Sequence, residues 1–143
     1  MTESSTKLHQ ATGVAIGGRG VLIEGAPGSG KSSLALALID RDAQLVGDDG
    51  VTLTVCGGRL LAGSPPHTDG LIEVRNVGLI VMPAARNVPI ALVLRLDSAA
   101  PRFVEVAERA QLMGLSLPMI RLWPDSPVLH LRAEAALARF GLA

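Results

Sequence analysis

The stretch GAPGSGKS at residues 25–32 decides the fold, because it matches the pattern G-x-x-x-x-G-K-[ST] without a mismatch. Residues 21–23 before it are apolar and predict a buried strand, and residues 32–40 after it predict a helix. In this context glycines let successive backbone N–H groups turn toward phosphate oxygens, and the helix start adds partial positive charge. The chain contains only two lysines, Lys7 and Lys31, so a chance match is improbable. The segment predicts a nucleotide-binding loop.

The loop assigns a role to several side chains. Lys31 is expected to reach the β and γ phosphates of a nucleotide, and the Ser32 hydroxyl is expected to bind Mg²⁺. The predicted nucleotide-binding residues are Gly25, Ala26, Pro27, Gly28, Ser29, Gly30, Lys31, Ser32 and Ser33.

Composition excludes several other classes of protein. The 143 residues suit one domain, and 13 basic and 13 acidic residues give a net charge of zero, unlike a cationic nucleic-acid or membrane-surface binder. The aromatic residues are Phe103, Trp123 and Phe140, too few for a base-stacking platform. The single cysteine, Cys56, excludes an internal disulfide or a cysteine-rich zinc site. With no apolar run long enough to span a membrane, we expect a soluble, cytoplasmic protein.

Apolar periodicity predicts an α/β domain, in which a mixed sheet carries the phosphate loop and has helices packed beside it. Residues 1–8 are interpreted as a polar leader and residues 9–143 as a single domain. The predicted strands cover residues 13–16, 21–23, 45–47, 51–55, 59–62, 71–74, 77–82, 89–96 and 118–123, and the predicted helices cover residues 32–40, 103–113 and 129–140.

Two acidic positions follow predicted strands. Asp48 and Asp49 stand where the strand 45–47 ends, and ligands of open α/β sheets gather at the carboxyl ends of strands. One carboxylate there can hold Mg²⁺, directly or through water, and the other can accept a proton; the alternative is an ordinary Asp-Asp-Gly turn. Glu73 and Arg75 fall on one face of a strand, and the pattern alone favours a solvated ion pair on an edge strand over a functional role.

These segments together resemble the catalytic domain of the HPr kinase/phosphorylase family. The matching stretches are GAPGSGKSSLALALIDRDAQLVGDDGV at residues 25–51, LIEVRNVGLIVM at residues 71–82 and HQATGVAIGGRGVLIEG at residues 9–25. The family transfers the γ-phosphate of ATP to a serine of HPr, the phosphocarrier of the sugar phosphotransferase system, or of an HPr-like protein. In many members it also removes that phosphate.

The resemblance implies roles for individual residues. Asp49 resembles the proton acceptor for the substrate serine, and Asp48 the residue supporting the metal or the active-site network. Glu73 resembles a second Mg²⁺ ligand beside Ser32. His9 resembles a histidine that family members carry near the site.

The sequence also departs from the family pattern. Longer members carry an N-terminal domain, whereas only eight residues precede His9 here. The family's later arginine is placed at Arg102, with Arg86 as the alternative, and Arg75 or Arg102 could neutralise charge on the transferring phosphate. The stretch LWPDSP at residues 122–127 has no arginine where dephosphorylating members carry an Arg-Pro-Gly-Arg-Asn-like run, so the phosphorylase activity is left open.

The sequence is compatible with three functions. The first is a protein-serine kinase that depends on ATP and Mg²⁺ and acts on an HPr-like phosphocarrier, with a hexamer implied by the resemblance. The second is a small-molecule or nucleotide kinase, since phosphate loops serve many unrelated activities. The third is a regulatory module that binds ATP without catalysis.

Overall fold

The computed structural model describes residues 6–143, which form eleven strands and two helices. In chain order the elements are β1 (Thr6–His9), β2 (Thr12–Ile16), β3 (Arg19–Glu24), α1 (Lys31–Asp40), β4 (Gln44–Gly47), β5 (Val51–Cys56), β6 (Arg59–Gly63), β7 (Leu71–Val74), β8 (Gly78–Val81), β9 (Val88–Leu96), β10 (Glu108–Leu112), β11 (Leu115–Leu122) and α2 (Leu129–Phe140). The predicted mixed α/β fold is confirmed.

The strands form one large curled mixed sheet and a separate hairpin. The order in the large sheet is β1-β5-β6-β9-β3-β2-β4, and β11 pairs with both β9 and β10. The hairpin consists of β7 and β8. Strand β9 is long enough to pair with β6 near its start and with β3 and β11 farther along.

Strand direction brings distant parts of the sequence to one edge of the sheet. β3 and β11 each run parallel to β9, and β2 is antiparallel to both β3 and β4. The four strands β3, β4, β9 and β11 therefore share a direction, and their carboxyl ends meet at the same edge. The phosphate loop follows β3 and the acidic pair follows β4, so the topology places both at that edge.

Apolar side chains pack on both faces of the sheet. One cluster joins α1, α2 and the β7–β8 hairpin to the sheet through Leu34, Leu38, Ile72 and Leu137. The second cluster lies on the opposite face and includes side chains of β5, β6 and β10. Burial on both faces explains why the central strands β3 and β9 are nearly continuous apolar runs.

The predicted helix at residues 103–113 is wrong. Residues 101–107 contain no regular element, and Glu108–Leu112 is a strand paired with β11. Ala110 and Leu112 fit helical spacing, but they also fit the two-residue alternation of a strand, and both join the second apolar cluster. Met113 and Gly114 between β10 and β11 have φ of 50° and 80°, the conformation of a tight hairpin turn.

The polar start of the chain also differs from the prediction. Residues 6–8, interpreted as part of a leader, belong to β1, which pairs with β5 in register Thr6 to Thr54 through His9 to Val51. Residues 1–5 of that leader lie outside the described residues. The other predicted strands and helices are confirmed with small shifts at their ends. Across residues 6–143, no helix combines the length and the apolar character that a membrane crossing requires.

Candidate active site

A cavity of about 460 Å³ opens at the edge of the sheet where β3 and β4 end. Most of the residues predicted to bind nucleotide or to act in catalysis line it, namely Pro27, Gly28, Gly30, Lys31, Ser32, Ser33, Asp48, Asp49, Glu73 and Arg75. Thr12, Thr68, Leu71 and Leu79 complete the wall. The structure thus brings together residues from four separate parts of the sequence.

Two glycines of the phosphate loop have left-handed backbone conformations, as in turns whose N–H groups form anion-binding concavities. Gly28 and Gly30 have φ of 78° and 101°, values that residues other than glycine rarely adopt. Gly30 precedes α1, and neither a side-chain cap nor an acidic residue occupies the first turn of that helix. The first N–H groups of α1 are therefore available to donate hydrogen bonds to phosphate oxygens, and the helix dipole favours negative charge there.

Lys31 and Ser29 supply polar side-chain groups to the phosphate loop. The Lys31 Nζ donates to the carbonyl oxygens of Gly25 and Ala26 at 3.0 and 3.1 Å, so the ammonium lies across the loop. The Ser29 hydroxyl is buried and has no hydrogen-bond partner among the described residues. A Cβ at Gly25 would lie 2.6 Å from that hydroxyl, so Gly25 leaves the room it needs. Phosphate oxygens match these donors.

Asp48 connects the loop to the rest of the site. Its Oδ1 accepts hydrogen bonds from the Ser32 hydroxyl at 2.6 Å and from the Thr12 hydroxyl at 3.2 Å. Its Oδ2 accepts a hydrogen bond from the backbone N–H of Glu73 at 2.9 Å. A single carboxylate therefore ties together α1, β2 and β7, consistent with the network role predicted for it.

Asp49 occupies a backbone conformation that is uncommon for residues other than glycine, with φ of 59°. Its N–H donates to the Thr12 hydroxyl at 3.3 Å, and its side chain lines the cavity. Aspartate tolerates this conformation better than most residues. The turn separates the two neighbouring carboxylates, so that Asp48 is held by hydrogen bonds while Asp49 faces the cavity.

Glu73 and Arg75 enter the site on the β7–β8 hairpin. Ile72 is fully buried beneath the hairpin, and the alternation of a strand exposes the next residue, Glu73. β7 ends at Val74, so Arg75 lies in the turn rather than on the strand as predicted. Both side chains nevertheless line the cavity.

The oxygen ligands at the site suit Mg²⁺ bound together with a nucleotide. Within residues 6–143, no group of three His, Cys, Asp or Glu side chains forms a metal cluster. Mg²⁺ usually takes one or two carboxylates and completes its shell with water and substrate phosphates. Ser32, Asp48 and Glu73, the predicted metal ligands, provide this partial set beside the phosphate loop.

His9, predicted to lie near the site, does not line the cavity but contacts Glu24, the residue before the phosphate loop. Its Nε2 contacts Glu24 Oε2 at 2.8 Å, and Arg95 donates to Glu24 Oε1 at 2.8 Å. Burial disfavours the charged form of Glu24, but the bonds from His9 and Arg95 outweigh it and hold the pKa of Glu24 below its usual range. Glu24 immediately precedes Gly25, so this triad braces the base of the phosphate loop.

The two later arginines considered for the site lie outside it. Arg102 lines a second cavity between α2 and the end of β11. Arg86 forms an ion pair with Asp69 at 2.8 Å and lines a third cavity. Arg75 is therefore the arginine that the described structure places at the phosphate loop.

Sequence reasoning missed two residues that position the site. Neither Thr12 nor Glu24 belongs to a recognisable motif. Thr12 begins β2 and Glu24 ends β3, and only the sheet shows which residues lie beside them. A signal was present for Glu24, because a carboxylate directly before the loop in an apolar strand calls for a partner.

Comparison with known proteins identifies the family. Residues 2–97 match the family model described as the HPr Serine kinase C-terminal domain, about two thirds of the chain. The HPr kinase/phosphorylase of Clostridium tetani is 44% identical over 79 residues, covering 55% of this chain and 26% of the relative. That of Clostridium beijerinckii is 45% identical over 75 residues, covering 52% and 24%.

Similarity to a solved structure extends over more of the chain. The structure of the Hpr(Ser) kinase/phosphatase from Coxiella burnetii matches with a TM-score of 0.83 and 28% identity, covering 92% of this chain and 88% of that one. The aligned region spans about a quarter of the length of the curated relatives, which places the similarity in one domain of those proteins. The chain belongs to the HPr kinase C-terminal domain family.

Proposed function

We propose that this chain is an ATP- and Mg²⁺-dependent kinase that phosphorylates a serine of an HPr-like phosphocarrier protein. The observation that carries the proposal is the 2.6 Å bond between the Ser32 hydroxyl and Asp48, which couples the phosphate loop to the acidic pair inside one cavity. Family membership supplies the class of acceptor.

Catalysis here rests on positioning and on charge. The backbone N–H groups of residues 28–32 and the Lys31 ammonium would hold the β and γ phosphates, with Lys31 exchanging its two carbonyl partners for phosphate oxygens. Mg²⁺, when bound, neutralises charge on these phosphates. Ser32, Asp48 and Glu73 would hold that ion, and Arg75 would offset negative charge on the transferring group.

Asp49 is the group proposed to take up the proton. The acceptor serine oxygen forms a bond to the γ-phosphorus while the bond to the bridging β–γ oxygen breaks, which releases ADP. The serine hydroxyl proton passes to the Asp49 carboxylate, which faces the cavity and is the carboxylate of the pair not occupied by Ser32.

The test is phosphoryl transfer from ATP and Mg²⁺ to candidate HPr-like proteins, read by mass spectrometry for phosphoserine. Asp49→Asn is expected to bind ATP within about 2-fold of wild type and to lose at least about 100-fold in transfer rate, the scale of a general base. Asp42→Asn is the matched control, since Asp42 also has positive φ, at 75°, and is exposed outside the cavity.

Three other outcomes would change the proposed function or the proposed role of Asp49. Transfer by Asp49→Asn at the wild-type rate contradicts its proposed role as the base. Turnover of nucleoside monophosphates or sugars, with no phosphoserine, favours the small-molecule kinase. ATP binding without transfer to any acceptor favours the regulatory module.

The proposal includes a cytoplasmic location, where ATP and a phosphocarrier would meet. It also includes a hexameric assembly on the basis of the family resemblance, which sedimentation velocity would test directly. The phosphorylase activity is tested by adding inorganic phosphate, without ADP, to the phosphorylated phosphocarrier protein. Loss of phosphoserine together with release of pyrophosphate would show that this activity is retained.

A further inference from the structure

The three aromatic residues of this chain are far apart in the sequence, but their side chains lie at one groove. The chain is only 2% aromatic, yet Phe103, Trp123 and Phe140 all line a cavity of about 490 Å³. The cavity, named here the aromatic groove, lies between residues 101–104, the end of β11 and the outer face of α2. Phe103 is 77% exposed and Trp123 is 39% exposed, so core packing does not account for either.

The charge on the aromatic groove has one sign. Arg102, Arg121, Arg132 and Arg139 line it, and no aspartate or glutamate does. The Arg121 guanidinium is neutralised by Asp97 and Glu108, but none of the ion pairs among the described residues includes the other three. A protein with zero net charge therefore concentrates unpaired positive charge at an apolar opening.

The groove is also held in place before anything binds. The Trp123 indole donates from Nε1 to the carbonyl oxygen of Ala100 at 2.6 Å, which fixes the ring. The guanidinium carbons of Arg132 and Arg139 lie 5.8 and 4.9 Å from the ring centres of Trp123 and Phe140. Stacked guanidinium groups keep their edge N–H donors free for carboxylates. Preorganised groups lose less conformational entropy on binding.

We propose that the aromatic groove docks an acidic segment of a partner protein, with one large apolar side chain of that segment inserted between Phe103 and Trp123. Aromatic and arginine side chains are enriched at the energetic centres of protein interfaces, and the unpaired guanidinium groups select carboxylates around the anchor. A nucleic-acid backbone fits less well, because the protein as a whole carries no excess positive charge to attract it.

This docking surface is independent of the proposed kinase reaction. Its residues do not line the phosphate-loop cavity, so its test needs neither ATP nor transfer. Trp123 is the only tryptophan and the chain has no tyrosine, so intrinsic tryptophan emission reports on the groove itself.

The probe is the blocked peptide Glu-Glu-Leu-Phe-Glu-Glu, titrated into the full chain at low ionic strength. We expect a saturable shift of the Trp123 emission with a Kd on the order of 10–100 µM. Two control peptides, with all glutamates replaced by lysine or with Leu-Phe replaced by Ser-Ser, are expected to give no saturable shift.

Substitutions inside and outside the aromatic groove test where the peptide binds. Arg132→Glu and Arg139→Glu are each expected to weaken the peptide at least about 10-fold, whereas Arg59→Glu, an exposed arginine outside the groove, stays within about 2-fold. Phe103→Ser, at a side chain that is 77% exposed, removes the anchor contact without a folding cost and is expected to weaken binding similarly. Thermal unfolding of each variant checks that the fold is intact.

Four results would overturn the proposal. They are an absence of saturable shift, equal binding of the lysine peptide, tighter binding of a single-stranded oligonucleotide than of the acidic peptide, and an emission shift that follows protein concentration alone. The last, with dimers in sedimentation, would mean that a second copy of this chain covers the groove.

Discussion

Thr12 acts at the scale of a single hydroxyl. Its side chain is fully buried, it donates to Asp48 Oδ1 at 3.2 Å, and it accepts from the Asp49 N–H at 3.3 Å. One hydroxyl thus sets both the direction of the Asp48 carboxylate and the positive-φ turn that presents Asp49. We interpret Thr12 as a positioning residue for the acidic pair.

Substituting Thr12 by valine keeps the shape and removes both bonds. We expect Thr12→Val to slow phosphoryl transfer at least about 10-fold, equivalent to about 1.4 kcal/mol, with ATP affinity within about 2-fold. Thr12→Ser restores the hydroxyl and is expected to restore most of the rate. Steady-state kinetics with separate kcat and KM distinguishes this from simple destabilisation, which would lower the active fraction of both variants. A Thr12→Val enzyme with wild-type kcat would contradict the interpretation.

Glu24 makes the stability of the loop depend on pH. Burial raises and the bonds from His9 and Arg95 lower its pKa, and the net effect is a pKa below the ordinary 4.5. A carboxylate with a depressed folded-state pKa contributes stability above its unfolded pKa, and that contribution is lost as pH falls through the folded value. We therefore expect wild type to lose stability on acidification below about pH 4.5 more steeply than Glu24→Gln does.

Urea unfolding at several pH values between about pH 6 and pH 3 measures this difference. Glu105→Gln is the control, since Glu105 is exposed and belongs to no ion pair of the described residues. Parallel acid limbs for wild type and Glu24→Gln would show that the triad does not contribute.

At the scale of elements, local patterns predicted most of the fold correctly. The strand, glycine-rich loop and helix at residues 21–40 share one local signal, and the hairpin around Gly57 and Gly58 carries its own turn residues. The failure at residues 103–113 has a physical cause. Seven of these eleven residues are apolar, and two of them, Ala110 and Leu112, fit both helical spacing and the alternation of a strand, so only pairing with β11 decides between the two. The Met-Gly turn was the overlooked signal.

That turn can be tested by adding one methyl group. Gly114 has φ of 80°, so Gly114→Ala is expected to lower the free energy of unfolding by about 1 kcal/mol through backbone strain, although nothing lies near the added Cβ. Gly63 is the matched control, because its φ is not positive and its Cβ would meet the Thr52 hydroxyl at an ordinary 3.5 Å. Gly63→Ala is expected to change the free energy of unfolding by less than about 0.5 kcal/mol in either direction. Equal effects at the two sites in urea would contradict the hairpin assignment.

At the scale of the whole molecule, the fold brings residues that are far apart in the sequence to one cavity. Lys31 was identifiable from a local motif, Asp48 from its position after a strand and Glu73 from the family resemblance, and the fold brings the three to one cavity. Thr12 and the aromatic groove could not be identified in this way, because each depends on which strands are neighbours. Arg102 shows the limit most clearly, since its placement at the site rested on sequence order and the fold carries it to another cavity.

Nucleotide binding is expected to stabilise the entire domain, since the loop joins β3 to α1 and both contribute to the apolar cluster on one face of the sheet. A ligand that binds only the folded state at about 100 times its Kd adds about 2.7 kcal/mol, or roughly 9 °C in Tm for a domain of this size. We expect this shift for wild type with ATP and Mg²⁺, and a smaller one with EDTA.

The two lysines provide a matched pair for that measurement. Lys31→Ala removes the ammonium that lies across the loop and is expected to abolish most of the shift in Tm. Lys7→Ala removes the same charge from an exposed position on β1 and is expected to leave the shift unchanged. Because both variants carry the same net charge, a general electrostatic effect on Tm cancels between them. A full shift in Lys31→Ala would mean that the nucleotide binds elsewhere, and an equal loss in both would point to charge rather than to the loop.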